Sequence, residues 1–298
     1  MSIGINRPLS RSEKMKIYYC RCKEAINNAG DIFTSWLLTK MGYDWQFSVY
    51  PDLCSTGSIL DHEPCRYAKI WGSGFHNEDD AIVQTDLSKY YAVRGKLSFQ
   101  KLGTKRKIAI GDTGILASRY FDGSGIKKKY RYGIIPHYID YDFFKQFDSN
   151  DCHVIKMDTP DLDGLFKEIN ECEFILSSSL HGIIFSHSFQ LPALHVVHND
   201  LYSRNSFKFK DYYSSFDLPY EFVSINSEQD FYELDLETFY SSYKSGEKSY
   251  GPTMEQVKRM QNDLLASFPY QGPPWVHNAI FYIRQKTKSM YHKMRGRR

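Results

Sequence analysis

The sequence lacks the residue spacings that mark a metal site or a disulfide framework. Its six cysteines are scattered, and only Cys20 and Cys22 lie close together, two positions apart on a predicted strand. Both side chains would face the same side of that strand, which indicates packing rather than redox chemistry. With no cluster of metal-ligand residues, we expect the protein to use neither a metal ion nor a cofactor.

Long apolar runs are also missing. Residues 1–14 lack the apolar core of a signal peptide, and no later segment is a long uninterrupted apolar run. We therefore expect a reduced protein located in the cytoplasm.

The chain carries little net charge, and the charge is unevenly distributed. The formal net charge is +3, yet Arg284 to Arg298 contains seven Lys and Arg and no acid, which leaves 31 basic against 35 acidic side chains before it. We expect no nucleic-acid partner. Val276, Ile280, Ile283, Met290 and Met294 place an apolar stripe beside these basic residues. This segment is expected either to pack on the protein core or to hold the chain at an anionic membrane surface.

The abundant residues indicate a folded α/β protein with large cores. Hydrophobic residues make up 42% of the 298 residues, including 23 Tyr and 20 Phe. Predicted strands alternate with helices in both halves of the chain, which is typical of parallel sheets. We predict two Rossmann-like parallel-sheet domains facing a cleft, at residues 1–125 and 126–250, followed by C-terminal helices at 251–298. The Gly-rich, charged segment from Phe121 to Tyr130 is the predicted linker.

One stretch, from Phe174 to Pro192, predicts a strand, a tight turn and a helix. Three serines, Ser177 to Ser179, stand at the turn and can cap the helix, whose first N–H groups and dipole would then favour an anion. His181 falls on the first helical turn, and Gly182 keeps the backbone approachable. The simpler alternative is that His181 is only a polar residue filling the cap.

Other polar residues follow predicted strands, where the ligands of α/β folds bind. Asn28 and Asp31 come after the first strand, although both could be helix caps, and Arg94 ends a strand facing a cleft. A lone Arg more often forms a structural ion pair than binds a ligand. The loop from Gly72 to Gly74 lets backbone approach a ligand, but it is not a dinucleotide fingerprint because the G-x-G-x-x-G spacing is missing.

These motifs, taken in order over roughly residues 15 to 216, resemble the polysaccharide pyruvyl transferase family. The resemblance is carried by Ser177-x-x-Leu-His-Gly182, Asn28-x-Gly-Asp31, Trp71-Gly-Ser-Gly74, Val93-Arg94 and Pro136-His-Tyr138. It implies a fold similar to GT-B glycosyltransferases and transfer of an enolpyruvyl group from phosphoenolpyruvate to a sugar, as a cyclic ketal. Many relatives carry Arg where Ser179 stands here, so the missing charge must come from Arg94 or Lys208.

The resemblance also assigns roles to residues. Donor binding falls to Arg94, Lys208, Ser178, Ser179 and Gly182, and acceptor binding to Asn28 and Gly74. Lys210 is the alternative to Lys208, because both precede the same aromatic pair. His181 is the expected proton donor, with His137 as second choice, and Asp31 is the expected base.

The expected partners are phosphoenolpyruvate and a lipid-linked oligosaccharide acceptor at the inner face of the cytoplasmic membrane. Two other functions fit the same residues. One is a nucleotide-sugar glycosyltransferase of the GT-B type that uses His181 and Lys208 on a diphosphate, and the other is a non-catalytic sugar-binding module.

Overall fold

A computed structural model describes residues 14–21, 23, 26–198 and 207–270. The described residues form two sheets in which every pair of neighbouring strands is parallel. The first sheet contains β1 (Met15–Tyr18), β2 (Trp45–Phe47), β3 (Leu53–Cys54), β4 (Lys69–Trp71), β5 (Tyr90–Val93) and β6 (Ala109–Ile110). The second contains β7 (Tyr130–Ile135), β8 (Cys152–Val154), β9 (Cys172–Ser177), β10 (Ala193–Val197) and β11 (Val223–Ser224).

Helices connect and cover these strands. They are α1 (Ala29–Met41), α2 (Lys96–Leu102), α3 (Ala117–Tyr120), α4 (Tyr141–Phe144), α5 (Leu162–Asn170), α6 (Leu180–Ser188), α7 (Phe207–Ser214), α8 (Glu228–Glu233), α9 (Leu236–Lys244) and α10 (Met254–Ser267). Short 3-10 turns occupy Glu63–Arg66, Leu87–Lys89, Thr113–Leu116 and Lys145–Phe147. These elements confirm the prediction of an α/β fold with two parallel sheets.

The two sheets share one strand order. The first runs β2-β1-β3-β4-β5-β6 and the second β8-β7-β9-β10-β11. In each sheet, therefore, the order reverses between the first and the third strand along the chain. Doubly wound sheets bind their ligands at this reversal, beyond the carboxyl ends of the strands. The loops that follow β1 and β3, and those that follow β7 and β9, are the places to look for a site.

Local signals explain why the best-predicted elements form where they do. The Asn28 side chain accepts a hydrogen bond from the Gly30 N–H and starts α1, and Gly42 ends the helix in the left-handed conformation with φ 89°. Asp161 caps α5 in the same way. Helices α8 and α9 were not predicted, because their polar segments lack a clear apolar period; a capping box at Ser227 and Asp230 starts α8.

Aromatic packing holds α1 of the first half against helices of the second half. Phe33 on α1 lies 5.2 Å from Phe185 on α6, and Trp36 lies 5.0 Å from Phe166 on α5, measured between ring centroids. Such pairs contribute about 0.5–1.5 kcal/mol each beyond the area they bury. This packing fixes the N-terminus of α1 close to the N-terminus of α6.

Residues 14–267 form one compact unit that includes both sheets. Each of the first two predicted domains holds one sheet, and residues 121–129 contain no helix or strand. The domain boundaries themselves stay a prediction.

The helix α10 lies against the first half, where the Trp71 indole N–H donates to the Leu264 carbonyl at 2.9 Å. The predicted basic tail from Arg284 to Arg298 lies outside the described residues. Within the described residues, no helix combines the length and apolarity needed to cross a membrane.

Candidate active site

The turn between β9 and α6 has the predicted form. Ser179 is the N-cap of α6, and its hydroxyl accepts from the Gly182 N–H at 3.4 Å, so His181 lies on the first turn of the helix. The Ser177 hydroxyl donates to the Ile135 carbonyl at 2.6 Å and so links the ends of β9 and β7. A Cβ on Gly182 would overlap Ser177 Oγ. Gly182 is therefore needed for close packing of α6 on the sheet, and its predicted contact with a donor stays a prediction.

A second helix N-terminus meets His181. The backbone N–H of Ala29, at the start of α1, donates to the Met157 carbonyl at 2.8 Å, which ties α1 to the loop after β8. A Cβ on Gly30 would overlap Nδ1 of His181. The first turns of α1 and α6 are thus in contact, and each presents the positive end of a helix dipole. Their meeting point is a favourable place for an anion.

His137 and Ser178 belong to the same region, at the strand-order reversal of the second sheet. The Ser178 hydroxyl accepts from the His137 N–H at 2.9 Å and donates to Asp140 Oδ2 at 2.6 Å. Burial, and after it the charge of Lys208, lowers the pKa of His137 to about 3. His137 is therefore neutral near pH 7, and a ligand that supplies negative charge would raise its pKa.

Lys208 is buried among these groups, whereas Lys210 is exposed. The Lys208 side chain is only 8% exposed, and burial together with the nearby Arg94 lowers its pKa to about 8, against the opposing charges of Asp31 and Asp140. Burial raises the pKa of Asp31 to about 7, and Lys208 opposes that rise. Lys208 and Asp31 therefore influence each other across the site, and a carboxyl that titrates near neutral pH is suited to proton transfer.

Arg94 is fully buried at the end of β5. Its Nε donates to Asp211 Oδ2 at 3.0 Å, one terminal nitrogen donates to Ser58 Oγ at 2.6 Å, and the other donates to the Phe75 carbonyl. A Cβ on Gly74 would overlap the guanidinium, so this glycine gives Arg94 its space. Arg94 therefore forms the structural ion pair that the sequence analysis gave as the alternative to ligand binding. Donor binding by Arg94 and acceptor binding by Gly74 and Asn28 stay predictions.

The sequence analysis did not identify three residues of this region, which are His76, Asp112 and Asp211. Burial, then Lys208, lowers the pKa of His76 to about 4. Asp211 is the buried partner of Arg94, and Asp112 Oδ2 lies 3.8 Å from His181 Nε2. Asp112 had a usable signal, because it follows a predicted strand in Gly111-Asp-Thr-Gly114, as Arg94 follows its own strand. Within the described residues, no group of three or more His, Cys, Asp or Glu could hold a metal ion.

Comparison with known proteins identifies relatives of this chain. The family model for polysaccharide pyruvyl transferase matches residues 5–200. An uncharacterised protein of Acanthamoeba polyphaga mimivirus is 33% identical over 211 residues, which cover 63% of this chain and 71% of that protein. The succinoglycan biosynthesis protein ExoV of Rhizobium meliloti is 25% identical over 223 residues, which cover 69% of this chain and 66% of ExoV. No solved structure matched significantly. The chain belongs to the polysaccharide pyruvyl transferase family and is a transferase.

Proposed function

We propose that this chain transfers the enolpyruvyl group of phosphoenolpyruvate to two hydroxyls of a hexose in a polysaccharide repeat unit. The products would be a cyclic pyruvate ketal and free phosphate. The observation that carries this proposal is the contact between the N-termini of α1 and α6 at His181, whose pKa is lowered by the charge of the buried Lys208 ammonium. The positive ends of two helix dipoles, a cation and a titratable imidazole together suit a donor that has both a phosphate and a carboxylate.

Lys208 would be the main cation toward the donor. Arg94 already pairs with Asp211, so its charge is partly compensated, although it still lowers the pKa of both Lys208 and His181. The family resemblance implies an Arg at the position of Ser179, and in this chain Ser179 is the helix cap of α6. A lysine held in a site of low polarity attracts a dianion more strongly than one in water does.

His181 would protonate the donor. Burial, then Arg94 and Lys208, lowers its pKa to about 3. A bound dianion offsets all three causes, and the imidazole then gains a proton. Protonation of C3 makes C2 electrophilic, one sugar hydroxyl adds to C2, phosphate leaves, and a second hydroxyl closes the ketal. Asp31 would accept a hydroxyl proton, with Asn28 and Gly74 on the acceptor side and His137 as the second candidate for the acid.

The function can be tested by incubating the purified protein with phosphoenolpyruvate and a lipid-linked oligosaccharide, then measuring phosphate release and the ketal by mass spectrometry. We expect phosphate and ketal in equal amounts. Release of a nucleotide from nucleotide sugars would instead indicate a glycosyltransferase. Sugar binding without either release would indicate a binding module.

The two neighbouring lysines provide a matched test of the donor site. Lys208→Met removes a buried ammonium but keeps an apolar stem, and should raise the KM for phosphoenolpyruvate about 10- to 100-fold, as expected for a lost bond to a charged group. Lys210→Met alters an exposed position and should change KM little. Steady-state kinetics on both variants decides between them, and a larger effect at Lys210 would assign the donor contact to that residue.

Gly30→Ala should lower the activity of the protein without lowering the helix propensity of α1. Alanine favours a helix by about 1 kcal/mol over glycine, but its Cβ would overlap the His181 ring and displace it. We expect kcat to fall about a hundredfold, the size of effect that a misplaced catalytic group produces. Ser35→Ala, further along α1, is the control. Wild-type kcat in Gly30→Ala would mean that the position of the ring does not matter.

Membrane association is a further part of the proposal. The seven basic residues from Arg284 to Arg298 would each contribute about 1 kcal/mol near an anionic leaflet. We expect salt-sensitive binding to anionic liposomes that is lost when residues 284–298 are deleted, with turnover of a soluble acceptor kept. Equal binding by the shortened chain in a flotation assay would contradict this role.

A further inference from the structure

Two buried polar atoms face each other without forming a hydrogen bond. Asp112 Oδ2 and His181 Nε2 are 3.8 Å apart, and neither has a hydrogen-bond partner among the residues that the structure describes. An unsatisfied buried polar atom costs about 1–3 kcal/mol, so two in contact need an explanation. We propose that Asp112 is a positioning residue that stores the proton which His181 delivers to the donor, an inference that rests on the proposed function.

The fold aims the carboxyl of Asp112 at His181. Asp112 follows β6 and caps the 3-10 turn Thr113–Leu116, because its Oδ1 accepts from the Gly114 N–H at 2.8 Å. That bond leaves Oδ2 as the oxygen that faces the imidazole. Asp112 is fully buried and the His181 side chain is 12% exposed, so water has little access to the pair. The separation of 3.8 Å exceeds the upper end of the usual N–H···O range by only about 0.6 Å.

The surroundings decide where a shared proton resides. Burial raises the pKa of Asp112 to about 7, with Asp211 adding to the rise and the Gly114 bond and Arg94 opposing it. Since the pKa of His181 is about 3, these surroundings keep a shared proton on Asp112. The other titratable groups around the pair are Lys208, which acts on His181, and Tyr212, which is influenced by Asp112.

Donor binding would move this proton. The negative charge of phosphoenolpyruvate favours imidazolium, so the O–H bond of Asp112 breaks as an N–H bond forms at His181 Nε2. The pair is then an ion pair of carboxylate and imidazolium. The imidazolium next loses one N–H proton to C3 of the donor, whose C2–C3 double bond supplies the electrons for the new C–H bond. Of the two protons lost by the sugar hydroxyls, one goes to Asp31 and the other restores the pair for the next turnover.

The pH profile of kcat/KM tests this role, because it reports the protonation of the free enzyme. In the wild type, kcat/KM should rise toward a maximum near pH 7, as Asp31 loses its proton and can act as base, and then fall as Asp112 loses its proton. Asp112→Asn keeps the cap on Gly114 but cannot store a proton, so the fall should move to lower pH, toward the pKa of His181 at about 3. Asp86→Asn is the matched control, since Asp86 caps another 3-10 turn in the same way and is exposed.

Calorimetry gives a second readout that does not require turnover. At about pH 6, phosphoenolpyruvate binding should draw about one more proton from solvent in Asp112→Asn than in the wild type, measured in buffers of different ionisation enthalpy. Equal proton uptake, or an unchanged pH profile in a folded variant, would overturn the inference. If the wild type binds phosphoenolpyruvate but releases no phosphate, the proposed function fails instead, and the calorimetric comparison still tests the proton store.

Discussion

Replacing His181 with glutamine is expected to lower kcat for pyruvyl transfer by about 10²- to 10⁴-fold, the usual contribution of a general acid. Glutamine keeps a polar side chain of helix-compatible shape but has no proton that can titrate. Because the donor is held mainly by Lys208 and the helix N-termini in this proposal, its KM should change much less. Phosphate release under saturating donor measures the effect.

His187→Gln is the matched control for this variant. His187 lies on the same helix, is 1% exposed and has both ring nitrogens occupied, by the Tyr212 hydroxyl and the Tyr250 carbonyl, each at 3.0 Å. It is therefore a structural histidine, and its replacement should affect stability more than kcat. If His181→Gln retained kcat within tenfold of the wild type, the acid would have to be another group, and His137→Gln would be the next variant to measure.

Asp211→Asn is expected to destabilise the fold by about 3–5 kcal/mol, because it leaves the buried guanidinium of Arg94 without its counter-charge. Asp211 is fully buried and also accepts from the N–H and the hydroxyl of Ser98, at 2.7 and 2.6 Å. These bonds join α7 to α2 and so connect the two halves of the chain. Urea unfolding with an unchanged slope would measure the loss.

A nearby exposed pair provides the comparison. Lys96 on α2 pairs with Asp217 just beyond α7, and these side chains are 43% and 79% exposed. An exposed ion pair contributes only about 0–1 kcal/mol. Asparagine also tolerates the positive φ of 58° found at position 217. Asp217→Asn should therefore be nearly neutral, and a similarly small effect of Asp211→Asn would show that the Arg94 pair does not hold the halves together.

Much of the fold followed from local signals in the sequence. The strand at 193–197 and the helix that starts after Ser179 lie where they were predicted, because apolar periodicity and helix caps act within a few residues. The class of α/β fold followed from the alternation of these elements. The positions of Arg94 and His137 after strands, and of His181 at a helix start, could also be read from the sequence.

The sequence by itself determined which residues stand at strand ends and helix starts, and only the tertiary structure decided which of them meet. Arg94 and Asp211 are 117 positions apart, so no local pattern could indicate that their charges pair. The burial of Lys208 and exposure of Lys210, the contact of Gly30 with His181, and the approach of Asp112 to His181 depend likewise on how the two sheets pack. Desolvation and charge proximity are properties of that packing, and they decide which groups hold protons in the site.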